Sequence, residues 1–409
     1  MEWEVPQMVA RALVLALVPM GTWFPQGAGF AGRESFLFPH GVEAPVSDGP
    51  RSSADEGVPP GCFPEIDEAS GRAFDGGADS WFGRLGSGLI TEGGTWVIAD
   101  PGRMGIHFIH STETHRLVGR RGDGPGEFRI LTGLWEEEDG AVSVLDMVTG
   151  RMTRMDRTGE LLDSSRLVAE PGTVLGLMGP APGGGIVAQR NLTRHGQPGV
   201  GLYRDSLEIV VERDGRAARV VGPLPGSDRF LEGFPIFPTP FGLRVTYRVL
   251  SGGRLLIAPG DRPELRIMDL ATGTETVVPV PLESRPVTRD LRDALSRAAQ
   301  TDSLPWTADL VDRWLSRGDL PTSTPVHGPA HVDRSGWIWV QEPPVPGAPA
   351  RYLVLDREGH VHQRITLPAQ VRAHGAPFID ADDSHALFRA EDELGTPFLL
   401  VLDRRCASE

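Results

Sequence analysis

One short pattern is written twice in succession between residues 94 and 160. Gly94-Thr95-Trp96-Val97-Ile98-Ala99-Asp100 reads as a glycine turn followed by a strand, and after a loop comes a second apolar run, Ile106-His107-Phe108-Ile109. The same order returns in Gly140-Ala141-Val142-Ser143-Val144-Leu145-Asp146, then Arg151-Met152-Thr153-Arg154-Met155-Asp156 and the turn Arg157-Thr158-Gly159. A unit of about 46 residues built from short, turn-separated strands cannot bury its own apolar faces, so it requires neighbours of the same kind.

The residue preceding each main strand serves as an anchor: Gly94, Gly140, Gly185, Gly253, Gly336 and Asp383. Three steps between anchors agree closely, at 46, 45 and 47 residues, and the two longer ones, 68 and 83, must hold insertions. In the third unit a polar loop around residues 191–204 interrupts the pattern before Leu207-Glu208-Ile209-Val210-Val211, and an aromatic, proline-rich tail runs from Phe230 to Phe241. After the fourth unit, Leu291, Ala294, Leu295 and Ala298 share one helical face and Leu310, Val311, Trp314 and Leu315 another, with Pro305 between them. This spacing predicts a helical hairpin over about 287–317 whose apolar face packs on the units beside it. The last unit runs out after three strands. Open edges invite aggregation, so the missing strand is expected from before Gly94, where Trp81-Phe82-Gly83-Arg84-Leu85 reads as a strand. Six anchors and an incomplete final unit predict an all-β fold, a six-bladed β-propeller with a helical hairpin insertion, over residues 62–405.

The front of the chain reads differently. Arg11 precedes the apolar run Ala12-Leu13-Val14-Leu15-Ala16-Leu17-Val18, and Ala28, Gly29, Ala31 and Gly32 follow. The run is too short to span a bilayer but suits an export signal, so residues 1–32 are expected to be a signal peptide and the protein periplasmic or extracellular. Residues 33–61, rich in proline, glycine and serine, read as a flexible linker. No later stretch is apolar enough for a transmembrane segment. The two cysteines, Cys62 and Cys406, lie near the two ends of the ring, where an oxidising compartment would permit a disulfide between them.

The run Gly119-Arg120-Arg121-Gly122-Asp123-Gly124-Pro125-Gly126-Glu127-Phe128, the strand ending in Asp100 with Arg103 three residues on, and the turn Asp156-Arg157-Thr158-Gly159 together resemble the NHL-like six-bladed propeller proteins of bacteria. The resemblance covers the chain from about Trp81 onward and implies a fold rather than a chemistry. The third unit departs from it, lacking the Asp/Arg spacing. Gly122, Gly124 and Gly126 do not form a phosphate loop, because no helix opens after them and no lysine is placed for a phosphate. They are expected to shape a tight connection, stiffened by Pro125 and anchored by Phe128. Asp100 with Arg103 and Asp146 with Arg151 recur, which favours a repeated structural task over substrate binding.

Histidines are the best metal candidates: His107 and His110 at the end of one strand, His360 and His362 in another, with His327, His331, His374 and His385 available to converge from several units. Neither pair completes a ligand shell, and no motif calls for a cofactor. No Gly-x-Ser-x-Gly elbow or paired-cysteine motif is present. Asn191-Leu192-Thr193 has the form of a glycosylation sequon, and the acidic run Glu136-Glu137-Glu138-Asp139 reads as a solvated hairpin. A formal charge of −15 without a basic stripe argues against nucleic acid. The expected function is non-catalytic binding or scaffolding by an exported, monomeric propeller with a peptide, glycan or protein partner; the alternative is a metal-dependent propeller hydrolase or lyase.

Overall fold

Positive-φ glycines set the turns from which the fold is built. In the computed structural model, Gly94, Gly140, Gly185, Gly253 and Gly336 have φ of 77°, 79°, 95°, 70° and 87°, a region open to glycine without a Cβ penalty, and each lies in the turn directly before, or one residue short of, the second strand of a sheet. The structure describes residues 64–406, apart from 76–81, 112–113, 147, 167–174, 182–184, 193–200, 214–215, 232–235, 301–307, 319, 369–376 and 393.

Blade 1 contains Gly88–Ile90, Trp96–Asp100, Gly105–Ile109 and His115–Val118, and blade 2 Leu131–Glu136, Val142–Asp146, Arg151–Met155 and Leu161–Arg166. Blade 3 has Leu175–Pro180, Ile186–Asn191 and the long pair Gly201–Arg213 and Arg216–Leu231, with Ile236–Pro238 on its outer edge. Blade 4 comprises Thr246–Leu250, Arg254–Ala258, Glu264–Asp269 and Glu275–Pro279, and blade 5 Ala330–Val332, Ile338–Gln341, Arg351–Leu355 and Val361–Thr366. Blade 6 has Phe378–Ala381, His385–Glu391 and Pro397–Cys406. The first strand of each blade is innermost, and these inner strands lie side by side around the ring. The chain is a six-bladed β-propeller.

The fourth strand of blade 6 comes from the front of the domain. Pro64–Ile66 and Arg72–Phe74 both pair antiparallel with Pro397–Cys406, Pro64 opposite Cys406 and Phe74 opposite Leu399. Every backbone group so paired is one fewer on an open edge. Cys62 lies outside the described residues, as does Pro305 between the helices. Phe82 to Leu85, however, form no strand. The Gly83 and Arg84 N–H groups donate to the Asp100 carboxylate at 2.6 and 2.8 Å, so this segment is pinned as a connection into blade 1. The strand after the blade 3 loop begins at Gly201, earlier than the pattern suggests, and with Arg216–Leu231 it projects beyond the second strand of that blade.

Apolar seams between blades hold the ring. Phe378, Phe388, Trp339 and Tyr352 form an aromatic cluster between blades 5 and 6, with Trp339 and Phe378 ring centroids 4.6 Å apart. The helical hairpin, α1 (Arg289–Gln300) and α2 (Ala308–Arg317), buries Leu295, Ala299, Leu310, Val311 and Trp314 against Phe230 of the blade 3 extension. Helices this short are marginal alone in water, so packing holds them, each large side chain contributing about 1.5–3 kcal/mol. No helix among the described residues is long and apolar enough to cross a membrane.

Candidate functional site

The inner strands surround a central channel whose polar groups come from blades far apart in sequence. At the end carrying the turns between first and second strands, Arg334 of blade 5 donates through Nε to the Ile90 carbonyl of blade 1 at 2.9 Å and forms an ion pair with Glu136 of blade 2. Glu136 also accepts from the Glu92 N–H at 3.1 Å. Blade 5 adjoins neither blade 1 nor blade 2, so Arg334 straps this end across the ring.

Further in, Asp380 on the inner strand of blade 6 joins three blades. Its carboxylate accepts from the Ile90 N–H of blade 1 at 2.9 Å and faces His331 Nε2 of blade 5 at 3.0 Å. Burial first, and then the neighbouring Arg248 charge, hold the His331 pKa below its ordinary value, so the neutral ring donates to Asp380. Arg248 occupies the inner strand of blade 4. Burial lowers its pKa too, while the nearby Asp380 and Tyr352 act in the opposite sense. Arg248 is half-buried. Tyr352 accepts from the Phe378 N–H at 3.3 Å, and burial holds its phenol protonated well above the ordinary range. Arg389, on the second strand of blade 6, acts on Tyr352, Arg248 and Arg84.

The residues singled out in the sequence lie elsewhere. Asp100 is fully buried and accepts from the Gly83, Arg84 and Arg103 N–H groups and from His107, 3.1 Å away. Asp146 repeats this with the N–H groups of Arg129 and Ile130, the same sequence distance back as Gly83 and Arg84 are from Asp100. Among the described residues neither carboxylate takes an arginine side chain; Arg151 instead donates to Ser164 Oγ and the Asp123 carbonyl. In the glycine run, the Glu127 carboxylate accepts from the Asp123 and Gly124 N–H groups, and a Cβ on Gly122 would lie 2.1 Å from it. Pro125 and Gly126 complete that turn, and Phe128 is buried between blades 1 and 2. The acidic run forms an exposed turn at Glu138 and Asp139, and it is also engaged in ion pairs: Glu136 pairs with Arg334, and Glu137 and Asp139 pair with Arg154.

The metal candidates are not brought together. His107 is buried and pairs with His115, 2.7 Å between ring nitrogens, whereas His110 is exposed and meets Thr95 Oγ1. His360 lies in an exposed turn against Asp356, and the His362 ring sits 4.8 Å from Trp337. His327 is buried against the Gly328 carbonyl, His385 lies near Asp382 and Asp403, and His374 is outside the described residues. Asp356, Glu358 and His360 offer three donors within 4.8 Å of one another. The turn itself accounts for them, because Asp156 and Asp269 cap the equivalent turns of blades 2 and 4 through the same backbone bonds as Asp356. Arg248 and Asp380, on the inner strands of blades 4 and 6, carried no local signal in the sequence.

No protein-family model matches the chain, and no curated protein matches it. Solved structures do. A member of the DUF4221 family from Bacteroides vulgatus aligns over 84% of this chain and 99% of its own, with 10% identity and a TM-score of 0.47. A catalytically inactive virginiamycin B lyase from Staphylococcus aureus, solved with quinupristin, covers 83% of this chain and 99% of its own at 12% identity and a TM-score of 0.41. Regucalcin from Agrobacterium tumefaciens, a calcium-binding protein, covers 83% and 96% at 14% identity and a TM-score of 0.39. The likeness is one of overall architecture.

Proposed function

We propose that this protein is an exported, non-catalytic binding propeller, akin to the NHL-like proteins of bacteria, that recognises its ligand at the central channel. The observation that carries this reading is the channel lining. It presents Arg248 beside a single histidine–carboxylate pair, His331 and Asp380, already bonded to each other at 3.0 Å, where a hydrolytic metal centre would need several converging histidines and carboxylates. Blades 4, 5 and 6 each supply a polar group, and the neighbouring seams hold those groups rigidly, the preorganisation that selective binding needs. Among the described residues, the alternative, a metal-dependent hydrolase or lyase, draws on Asp356, Glu358 and His360, which lie at an outer turn.

Elemental analysis of the purified protein after dialysis against zinc and calcium tests the choice. Less than a tenth of an equivalent of either metal is expected; a full equivalent, lost on His360→Ala, would establish the metal-dependent alternative. Export and the Cys62–Cys406 disulfide belong to the same reading. Pro64 lies opposite Cys406 and only two residues from Cys62, a short reach for a bond closing the ring. Peptide mapping without reductant should recover the two cysteines as one linked peptide from exported protein, and recovery as two free thiols would remove the disulfide from the account.

A further inference from the structure

We infer that His107 and His115 form an acid-released latch on the closure of the ring: in contact they hold the closing strand against blade 1, and a second positive charge on the pair parts them.

The latch sits where the front of the domain meets blade 1. His107 is on the third strand of that blade and His115 on the fourth, diagonal neighbours on one face, since Leu117 lies opposite His107 and Ile109 opposite His115. Ile98 and Ile109, on the same face, pack with Leu387, Leu399 and Val401 of blade 6 and with Phe74 of the closing strand. The Phe82 ring stands edge-on 4.8 Å from the His107 ring, the Phe74 ring lies 6.1 Å from the His115 ring, and the two phenylalanine rings are 6.0 Å apart. Displacing His115 therefore undercuts the rings that fasten the closing strand to blade 1.

Proton counting sets the trigger. Burial opposes ionisation of Asp100, yet His107 and the N–H groups of Gly83, Arg84 and Arg103 outweigh it, so the carboxylate stays ionised into the acid range and only accepts. His107 Nε2, 3.1 Å from Asp100, must then carry a hydrogen. His107 Nδ1 lies 2.7 Å from His115 Nε2, a contact with room for one hydrogen, donated from either side. Two imidazoles have four nitrogens and, while they touch in this way, hold at most three protons, one positive charge in all. Asp100 balances that charge. A second charge would aim two N–H groups at each other across 2.7 Å, so only separated rings accept it. His107 is fully buried and His115 half-buried, so His115 is the ring that leaves.

The other charged and titratable groups facing this region do not supply the trigger. On blade 1, Arg84 and Arg103 meet Asp100 through their N–H groups, and His110 lies against Thr95 Oγ1. On the closing strand Arg72 pairs with Asp403, and Asp75 just beyond it is exposed. Across the seam, His385 and Arg389 share a strand face with Leu387. Arginines keep their charge throughout, and the two further histidines have their own controls below. Histidines of an unfolded chain take up protons at about pH 6.5. The separated pair binds one proton more than the latched pair, so closure is at full strength above that pH and weakens on acidification, opening rising by up to about tenfold per pH unit.

Hydrogen exchange of the full chain at pH 7 and pH 5, corrected for the intrinsic pH dependence of exchange and read by mass spectrometry on peptides carrying Arg72–Phe74, tests the latch. In the parent these amides should open at least about tenfold more at pH 5. His115→Gln should lose that dependence, because its amide turns to offer His107 either an oxygen or an N–H and so meets both charge states. His110→Gln and His385→Gln should keep it. A parent unaffected by pH, or equal dependence in His115→Gln and the parent, would overturn the latch. Should His115→Gln not fold, nitrogen spectra of the parent with labelled histidine serve instead: an intact ring with His107 and His115 both fully protonated would overturn it, and release of the closing strand together with that protonation is the expected result.

Discussion

Arg404→Met is expected to lower folding stability by about 3–5 kcal/mol, the loss that follows when one member of a buried ion pair is removed. Arg404 lies on the last strand of the ring and Asp333 in blade 5, and their charged atoms are 2.9 Å apart with both side chains withdrawn from solvent. Asp333 also accepts from the Trp337 N–H and from Trp339 Nε1, each at 2.9 Å, and the Arg404 guanidinium lies 5.8 Å from the Trp339 ring centre. Removing the arginine strands a carboxylate in an aromatic seam. Burial already pushes Asp333 up to about 6 against the opposing pull of Arg404, Trp339 and Trp337. A folded value above the ordinary 3.8 means that the native state holds this proton more tightly than the unfolded chain. The corresponding stability is therefore full below about pH 4 and lost as the pH rises through about 6. Without Arg404 the carboxyl rises further, so the variant should be hurt more at pH 8 than at pH 5. Chemical denaturation at both pH values measures this; equal stability of variant and parent at pH 8 would show that the pair does not hold the closure.

Asp100→Ala should be nearly as damaging, at about 3 kcal/mol or more, because the Gly83 and Arg84 N–H groups and the His107 ring would be left without their acceptor, each such loss costing about 1–3 kcal/mol, while the Arg103 N–H keeps the main-chain carbonyl of residue 100. Burial, the largest single influence on Asp100, raises its pKa, but His107 and the N–H groups of Gly83, Arg84 and Arg103 together pull it below 3.8. A depressed folded value gives stability that is present above pH 3.8 and lost as the pH falls through the folded pKa. The parent should therefore lose stability on acidification into that range, and Asp100→Ala should show a shallower loss there because its deficit is already present at neutral pH. Thermal melts from pH 7 down to pH 3 decide the matter. A variant that melts like the parent while losing ligand would move Asp100 from the scaffold to the site.

Much of the architecture was legible because it is local. A glycine before a strand carries its own reason, and Gly94, Gly140 and Gly336 each take the positive φ that the turn demands. Helical spacing likewise announced α1 and α2, since Leu310, Val311 and Trp314 fall on one face whatever lies beside them. The unfinished sixth blade was legible by subtraction, three strands where four are needed. Phe82 to Leu85 misled because an apolar run looks the same whether its N–H groups meet a neighbouring strand or, as here, a carboxylate sixteen or seventeen residues away.

The chain by itself determines the repeat, its turns, the helical insertion and the need for closing strands, because each follows from contacts within a few tens of residues or from the requirement that apolar faces be covered. Only the tertiary structure decides what occupies the channel. Arg248 and Asp380 sit in ordinary strands with ordinary alternation, and nothing beside them in sequence distinguishes them from other arginines or aspartates. They acquire a common environment because closing the ring carries blades 4, 5 and 6 around one axis. Electrostatic interaction depends on distance in space and on the dielectric between charges, and ring closure sets both.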